Sequence, residues 1–387
     1  MTMVTEFSAS DHQYMQHAIE LAALGRYTTA PNPNVGCVIV KDNLIVGEGY
    51  HRQAGGPHAE VFALRQAGSA ANGAMAYVTL EPCSHFGRTP PCADALIAAG
   101  LSRVVVAMQD PNPRVAGTGV ERLRAAGIQV DVGLLTAQAE ALNPGFLHKM
   151  RTQLPFVRLK LACSTDGKVA LSNGQSQWLT GAAAREDVQL FRAQSCAILS
   201  TAETVKADKA LLNVRSEAVT RLENGDIRQP LRVILDRRCR LSGHEPLFQQ
   251  GGDILLCHAG PTEEWPELAP IPQNASGQVT RLRLGLDPVG QLDLKELLSL
   301  LGSRQINLLW VEAGSMLATS FWQQQLIDEL VLYQAPLLLG ADAMPLLKAG
   351  GLSQLSQAPR WQWQDVRQVG VDLRLTALLK TDTMSEQ

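Results

Sequence analysis

The feature that most constrains this chain is a set of metal-binding side chains around an acid: His58-Ala59-Glu60, then Pro82-Cys83, then Cys92. One histidine and two cysteines fill three positions of a tetrahedral zinc site and leave the fourth for water, as catalytic zinc sites do and structural ones do not. Glu60 is no ligand in this pattern, so it can take the proton of that water and pass it to a departing amine. The combination is typical of zinc-dependent hydrolytic deamination.

The surrounding sequence predicts rigid elements that hold these residues. Residues 11–24 have the periodicity of an amphipathic helix, with Asp11 as its predicted N-cap. Residues 35–40 and 44–48 predict a strand pair that turns at Asp42-Asn43, and strands are also expected at 76–80 and 103–108. Helices should begin near His58 and near Cys92, where the positive end of the helix favours a thiolate. The first half therefore predicts a layered α/β domain.

Two other interpretations of the cysteines and histidines stay open. Eight residues separate Cys83 from Cys92, whereas nucleobase deaminases usually show two, and His85 lies in this long spacer. If His85 were a fourth ligand, the zinc would be structural. The remaining cysteines have the apolar or scattered context of small buried residues, which we expect for Cys37, Cys163, Cys196, Cys239 and Cys257.

Length and charge limit the kinds of protein this can be. A chain of 387 residues exceeds what one core usually organises, so two domains are expected. The net charge of −3 gives no electrostatic reason to bind a nucleic acid, so a small-molecule substrate is favoured. No apolar run approaches the ~20 residues of a membrane span, and no secretory leader is evident, which predicts a cytoplasmic protein without a membrane partner. A homo-oligomer is neither indicated nor excluded.

The predicted boundary falls near residue 150 and gives domains 1–150 and 151–387. Residues 156–161 alternate, with Arg158 and Lys160 on one side, as a half-buried strand would. A surface loop is predicted at 261–277, and no Gly-x-Gly-x-x-Gly motif indicates a Rossmann site. Further strands are predicted at 197–199, 231–235, 254–257, 306–311 and 329–333, and helices at 182–194, 292–301 and 315–324.

Several longer motifs carry a family resemblance over nearly the whole chain. They are Pro31-Asn32-Pro33-Asn34-Val35-Gly36, the stretch from Pro82 to Cys92, the stretch from Leu159 to Lys168, Ser176-Gln177-Trp178-Leu179-Thr180, and Trp310-Val311-Glu312-Ala313-Gly314. With them the chain resembles the bifunctional deaminase-reductases of riboflavin biosynthesis. The resemblance implies a cytidine-deaminase-like three-layer α/β/α domain followed by a dihydrofolate-reductase-like α/β domain. It also implies Zn²⁺ and NADPH as cofactors and a pyrimidine ribosyl phosphate as substrate, which is deaminated and then reduced from ribosyl to ribityl.

The resemblance also implies roles for individual residues. Asn34, His51 and His85 are expected at the deaminase substrate, beside the metal residues His58, Cys83 and Cys92 and the catalytic Glu60. It implies NADPH contacts from Ala162, Trp178, Thr204 and Asp208, and we add Arg237 to these because of its charge alone. It implies contacts to the reductase substrate from Ser176, Arg192, Leu212, Arg215 and Glu312. From their positions we add Lys160, on the alternating strand, and Gly314, at the turn into a predicted helix.

These assignments have a physical basis in part. Arg192 and Arg215 offer forked donors that match a phosphate, and Glu312 can accept hydrogen bonds from sugar hydroxyls. The chain departs from the family at Lys209-Ala210, where an Asp-Pro pair is common, and at Arg237, where a small polar residue is common. The added charge at Arg237 suits the 2′-phosphate of NADPH or faces solvent.

Three rival hypotheses remain at this point. The chain could deaminate bases in RNA, with its second half as a nucleic-acid-binding module, which would require a basic face. The zinc could be structural, so that its removal would unfold the first domain. Finally, Lys209-Ala210 could mark a second domain that has lost its reductase activity.

Overall fold

The computed structural model describes residues 6–84, 90–112, 116–270, 277–348, 350 and 352–379, so His85 lies outside the described residues. The chain forms two compact units. The first comprises Met1–Gln153 with Thr220–Asp226, and the second comprises Leu154–Val219 with Ile227–Gln387. No helix in the described ranges has the length and apolar character needed to cross a membrane.

The first unit is built on a sheet of five described strands in the order β2-β1-β3-β4-β5. β1 is antiparallel to β2 and β3, whereas β3, β4 and β5 are parallel. The strands are β1 (Gly36–Lys41), β2 (Leu44–Tyr50), β3 (Met75–Val78), β4 (Arg103–Val106) and β5 (Gln129–Val132). The helices are α1 (Ala9–Leu24), α2 (Ala59–Ala67), α3 (Cys92–Ala98), α4 (Thr118–Ala125), α5 (Thr136–Ala141) and α6 (Pro144–Thr152).

Helices cover both faces of this sheet, because its strands are apolar on both sides. Residues of α2, α3 and α4 form one buried cluster with the strands, including Ala63, Leu96 and Leu123. Residues of α1, α5 and α6 form a second cluster on the opposite face, including Met15 and Leu147. The unit is therefore a three-layer α/β/α domain.

The predicted N-cap of α1 was wrong. Ser8 caps the helix: its hydroxyl accepts from the Asp11 backbone N–H (3.1 Å), while the Asp11 carboxylate accepts from the Ser8 backbone N–H (2.9 Å). This is a capping box, in which the acid occupies the third helical position. Asp11 also accepts from Tyr77 on β3 and Arg103 on β4, at 2.7 Å each, and this ties α1 to the sheet.

The second unit is built on a sheet of nine described strands in the order β11-β10-β9-β8-β12-β6-β13-β16-β15. Neighbours from β11 to β13 are parallel, and β16 and β15 add antiparallel strands at one edge. The nine strands are β6 (Phe156–Ser164), β8 (Ala197–Thr201), β9 (Leu231–Leu235), β10 (Ile254–His258), β11 (Val279–Arg283), β12 (Leu308–Glu312), β13 (Glu329–Ala335), β15 (Trp361–Val369) and β16 (Asp372–Leu379). Two further strands, β7 (Lys168–Ala170) and β14 (Met344–Pro345), pair with each other in a separate sheet. The helices are α7 (Ala182–Gln194), α8 (Ala202–Asp208), α9 (Leu294–Ser303) and α10 (Ser315–Gln323).

The strand predicted at 156–161 is confirmed as part of β6, but the prediction that it is half-buried was wrong. β6 lies inside the sheet, and Arg158 on its supposedly exposed side is buried and forms an ion pair with Glu329 on β13. An inner strand of a parallel sheet is covered on both faces, so a charged residue there needs a partner. Of the five cysteines expected to be buried, Cys239 is partly exposed and the other four are buried.

Candidate active sites

His58, Cys83 and Cys92 converge in the first unit. His58 is the N-cap of α2, Cys92 is the first residue of α3, and Cys83 lies on the segment that follows β3. His58 Nδ1 lies 3.2 Å from Cys92 Sγ and 3.6 Å from Cys83 Sγ. All three potential ligand atoms lie within 4.8 Å of one another, and no fourth His, Cys, Asp or Glu among the described residues joins them.

The electrostatics of this triad suit a cation that binds thiolates. A hydrogen bond with the Cys92 thiol, together with His58, lowers the pKa of Cys83 to about 4. The pKa of Cys92 is raised by the same hydrogen bond and by burial, and the pKa of His58 is raised by its hydrogen bond to Cys83. The three side chains are thus held together by shared hydrogen bonds. A zinc ion binds such groups by displacing the protons of those bonds.

Glu60 lies next to the triad, in the first turn of α2, and is buried. Its Oε2 atom has no hydrogen-bond partner among the described residues. Burial raises the pKa of this carboxyl group, against the opposing effect of His58. A buried carboxylate oxygen without a partner is costly, so its place beside three metal-binding atoms fits a group that exchanges protons with a metal-activated water. The donor set and this oxygen together fit zinc.

His51 lies against the triad, and both of its ring nitrogens are hydrogen-bonded to other parts of the protein. His51 Nδ1 donates to the Pro57 carbonyl and its Nε2 accepts from Asn32, both at 3.0 Å, which fixes the neutral tautomer. Its ring meets the His58 ring edge-on, with centroids 5.6 Å apart. Burial lowers the pKa of His51. His51 thus orients the segment that carries His58.

The polar groups of Asn34 are likewise hydrogen-bonded within the protein. Its side-chain amide donates to the Leu142 carbonyl (3.0 Å) and accepts from Thr29 (2.8 Å), and its backbone exchanges two hydrogen bonds with the side chain of Asn143, the N-cap of α6. These bonds hold the segment before β1 against α6.

Glu81 is a structural residue of this site that sequence reasoning missed. It directly precedes Pro82-Cys83 and is buried, and its carboxylate accepts four backbone N–H bonds of 2.8–3.2 Å. The donors belong to the segment after β4 and to the start of α4: Asp110, Gly117, Gly119 and Val120. At Gly119 a Cβ atom would lie 2.1 Å from the Pro82 carbonyl, so only glycine allows this approach. Glu81 therefore fastens the Cys83 segment to α4.

A second candidate site lies in the second unit, in a cavity of about 1100 Å³. Thr201, Leu235 and Glu312, the last residues of β8, β9 and β12, line it, so the cavity opens at the carboxyl ends of the parallel strands. It brings together every residue predicted for the second half: Lys160, Ala162, Ser176, Trp178, Arg192, Thr204, Asp208, Leu212, Arg215, Arg237, Glu312 and Gly314.

Three charged residues form the floor of this cavity. Lys160 on β6 lies beside Glu312 in the strand register, and Arg192 on α7 binds both carboxylate oxygens of Glu312, at 2.6 and 3.0 Å. Burial would raise the pKa of Glu312, but Arg192 and Lys160 bring it down to about 2. Burial lowers the pKa of Lys160. Arg192 also donates to the Asn213 carbonyl, so it donates three hydrogen bonds within the protein.

The cavity lining also includes several basic residues and an exposed aromatic ring. Trp178 is 70% exposed, and the Arg185 guanidinium lies 4.4 Å from its ring centre. Arg237 donates to the Gly290 carbonyl (2.7 Å), and the same lining includes Arg238, Arg240 and Lys209. A dinucleotide phosphate would find complementary charge here. The size of the cavity, the ring and these basic residues fit NADPH.

Among these basic residues, Lys209 ends α8 with a φ of 49°, a left-handed conformation in which the family's Asp is better tolerated than Lys. The departure at Lys209 thus changes charge and local strain, while Asp208 still accepts a hydrogen bond from Gln177 at 3.0 Å.

Two family models match the two halves of the chain. Residues 8–108 match the "Cytidine and deoxycytidylate deaminase zinc-binding region", and residues 155–375 match the "RibD C-terminal domain".

Full-length relatives match across both halves. The riboflavin biosynthesis protein RibD of Escherichia coli K12 is 51% identical over 94% of this chain and 98% of its own length. The RibD of Haemophilus influenzae Rd is 50% identical over 96% of this chain and 98% of its own length.

Solved structures agree with the sequence comparison. Acinetobacter baumannii RibD superposes with a TM-score of 0.85 at 46% identity, covering 96% of this chain and 99% of that one. A Thermotoga maritima protein described as a diaminohydroxyphosphoribosylaminopyrimidine deaminase / 5-amino-6-(5-phosphoribosylamino)uracil reductase gives a TM-score of 0.81 at 32% identity, with the same coverage.

Proposed function

This chain belongs to the RibD family of riboflavin biosynthesis proteins, and on that premise we propose that each unit holds one of its two active sites. The chain is a bifunctional deaminase and reductase that uses Zn²⁺ and NADPH. We assign deamination to His58, Cys83, Cys92 and Glu60, and reduction to the cavity of the second unit. The observation that carries the first assignment is the convergence of three metal-binding atoms within 4.8 Å beside the unpartnered Glu60 Oε2.

The proposed first substrate is 2,5-diamino-6-(ribosylamino)-4(3H)-pyrimidinone 5′-phosphate. Zinc held by His58, Cys83 and Cys92 would lower the pKa of a water that adds through its oxygen to the ring carbon bearing the 2-amino group. Glu60 takes the proton of that water and delivers it to the 2-amino nitrogen as ammonia leaves. His51 keeps the His58 segment in place, and Asn34 secures the neighbouring segment. His85 remains a proposed substrate contact, outside the described residues.

In the proposed second step the ribosyl ring opens to a C1=N bond, to which NADPH would supply a hydride at C1 and water a proton at nitrogen, giving the ribitylamino group. Glu312 accepts hydrogen bonds from the sugar hydroxyls, and Lys160 and Arg192 hold that carboxylate ionised. Arg215 and Ser176 face the same cavity and are assigned to the phosphate end, with Leu212 and Gly314 as its walls. Ala162, Trp178, Thr204, Asp208 and Arg237, which line the same cavity, are assigned to the cofactor.

The RNA-base deaminase alternative has no support in these observations. Residues 155–375 match a reductase domain and not a nucleic-acid-binding module. We place the enzyme in the cytoplasm as part of this proposal, since thiol ligands persist in reducing compartments.

A coupled assay on the full chain tests the proposal. With zinc and the diaminopyrimidine ribosyl phosphate, we expect ammonia release in the absence of NADPH. NADPH oxidation should require either that release or deaminated substrate. NADPH oxidation without ammonia release from the same substrate would contradict the proposed order.

We expect Glu81→Gln to weaken zinc binding by about 10- to 100-fold, as loss of residues that orient metal ligands does. In glutamine an NH₂ group replaces one carboxylate oxygen, and it cannot accept hydrogen bonds from the two backbone N–H groups that now donate to that oxygen. The Cys83 segment would therefore lose its attachment to α4. Zinc affinity would be measured by chelator competition. Glu121→Gln, an exposed substitution on α4, is the control. Unchanged zinc affinity in Glu81→Gln would contradict the role given to Glu81.

We expect Arg237→Ala to weaken NADPH binding by about 10-fold or more and to leave NADH binding nearly unchanged, because a charge-assisted bond to the 2′-phosphate would be lost. Titration calorimetry with both nucleotides measures this. Arg283→Ala, on β11 and outside the cavity lining, is the matched control. Equal losses for both nucleotides would show that Arg237 does not recognise the 2′-phosphate.

A further inference from the structure

Trp310 is a buried residue that contacts the reductase site without lining its cavity. β12 places Trp310 and Glu312 on one face of the sheet, since side chains two positions apart share a face. Trp310 is fully buried, and its indole N–H donates to Glu312 Oε1 at 2.9 Å. Trp310 is therefore in direct contact with the carboxylate assigned to the sugar.

The two oxygens of Glu312 are used unequally. Oε1 accepts from Trp310 and from Arg192 Nε, at 2.9 and 2.6 Å. Oε2 accepts from Arg192 Nη2 at 3.0 Å, which is its one hydrogen bond within the described part of the chain. A carboxylate oxygen accepts about two hydrogen bonds, so Oε1 is saturated and Oε2 retains capacity for one more.

The ring of Trp310 also fixes the position of Arg192. Phe191 stacks on it with centroids 5.0 Å apart and an interplanar angle of 10°. Arg158 and Arg374 lie against the Phe191 ring, at 5.1 and 5.2 Å from its centre. Since Phe191 and Arg192 are adjacent on α7, the stack sets α7 where Arg192 reaches Glu312. Trp310 thus contacts Glu312 through its N–H, while its ring packs against Phe191 on α7.

We propose that Trp310 is a positioning residue of the reductase: its indole N–H saturates Oε1 of Glu312, so that Oε2 is directed to accept a hydroxyl of the ribosyl substrate. The inference rests on the proposed contact between Glu312 and the sugar. In this proposal Oε1 of Glu312 binds the protein and Oε2 binds the substrate. The N–H of Trp310, and not the volume of its ring, is what supports substrate binding.

Trp310→Phe removes the N–H and keeps an aromatic ring against Phe191. In the full-length enzyme we expect KM for the deaminated pyrimidine substrate to rise about 10-fold with a smaller change in kcat, because Oε1 would no longer be saturated and the hydrogen bond from the substrate hydroxyl to Oε2 would lose its fixed geometry. The dissociation constant for NADPH and the rate of ammonia release should stay at wild-type values. Loss of NADPH binding in this variant would overturn the proposal, because the role of Trp310 would then be structural.

Phe191→Leu is the matched control, because it removes the stacking partner and keeps the indole N–H. A smaller rise in KM than in Trp310→Phe supports the proposal, and an equal or larger rise overturns it.

Glu312→Gln separates the inference from the function on which it rests. If Glu312→Gln leaves KM unchanged, the assignment of Glu312 to the sugar fails. If Glu312→Gln raises KM but Trp310→Phe does not, only the role of Trp310 fails. In the double variant, Trp310→Phe should add nothing to the effect of Glu312→Gln, because the indole would act through that carboxylate.

Discussion

Replacing Glu60 with glutamine should lower ammonia release by about 10²- to 10⁴-fold, the contribution of a positioned acid-base group. The substitution keeps the size of the side chain and removes its ability to carry a proton. Zinc should remain bound, because Glu60 is not one of the three converging residues. The measurements are zinc content by atomic absorption and ammonia release at saturating substrate.

The second unit serves as the internal control for this variant. NADPH oxidation with pre-deaminated substrate should match wild type, since the reductase cavity is lined by residues of the second unit. Ammonia release within 10-fold of wild type would refute the role of Glu60. A parallel loss of both activities would refute the division into two sites.

The convergence of His58, Cys83 and Cys92 was predictable, because the sequence shows the residue types and the spacing that a zinc site would need. A His, two Cys and a nearby Glu at these spacings are typical of a zinc site. The helices begin where the sequence predicts, with His58 as the N-cap of α2 and Cys92 at the start of α3. The fold class is confirmed by the layered first unit and by the matching RibD structures.

Contacts between distant segments were not predictable in the same way. Arg158 alternates with apolar residues as a surface residue would, but its partner Glu329 lies 171 positions away. Glu81 likewise looks like an ordinary acid before a motif, since its partners are backbone groups 29–39 positions away. The antiparallel strands β15 and β16 were missed, and β15 is largely exposed and rich in polar residues, so it lacks the apolar run of the inner strands.

The reductase assignment depended on resemblance at first, and the structure supplies a physical reason for it. Trp178, Arg192, Arg237 and Glu312 are far apart in sequence, yet they line one cavity. The apparent exposure of Lys160 in the sequence pattern has the same explanation as that of Arg158, because its register partner Glu312 lies 152 positions later in the chain.

Replacing Lys160 with methionine should lower NADPH oxidation with deaminated substrate by about 10²- to 10³-fold, the loss expected when a preorganised polar group is removed from a reaction centre. Methionine keeps most of the side-chain volume but lacks the positive charge beside Glu312. Ammonia release should be unchanged. Lys295→Met, an exposed substitution on α9, is the matched control.

The pH dependence of reduction gives an independent test of Lys160. Burial lowers the pKa of Lys160, and Arg192 acts in the same direction while Glu312 opposes it. The charged form exists below that lowered pKa and is lost as pH rises through it. We therefore expect kcat/KM for reduction to fall at a lower pH than it would if Lys160 had the ordinary lysine pKa of about 10.4. A series from about pH 6 to pH 10 should show this decline in wild type and not in Lys160→Met. The same alkaline decline in both proteins would assign it to another group and leave Lys160 without a role in the reaction.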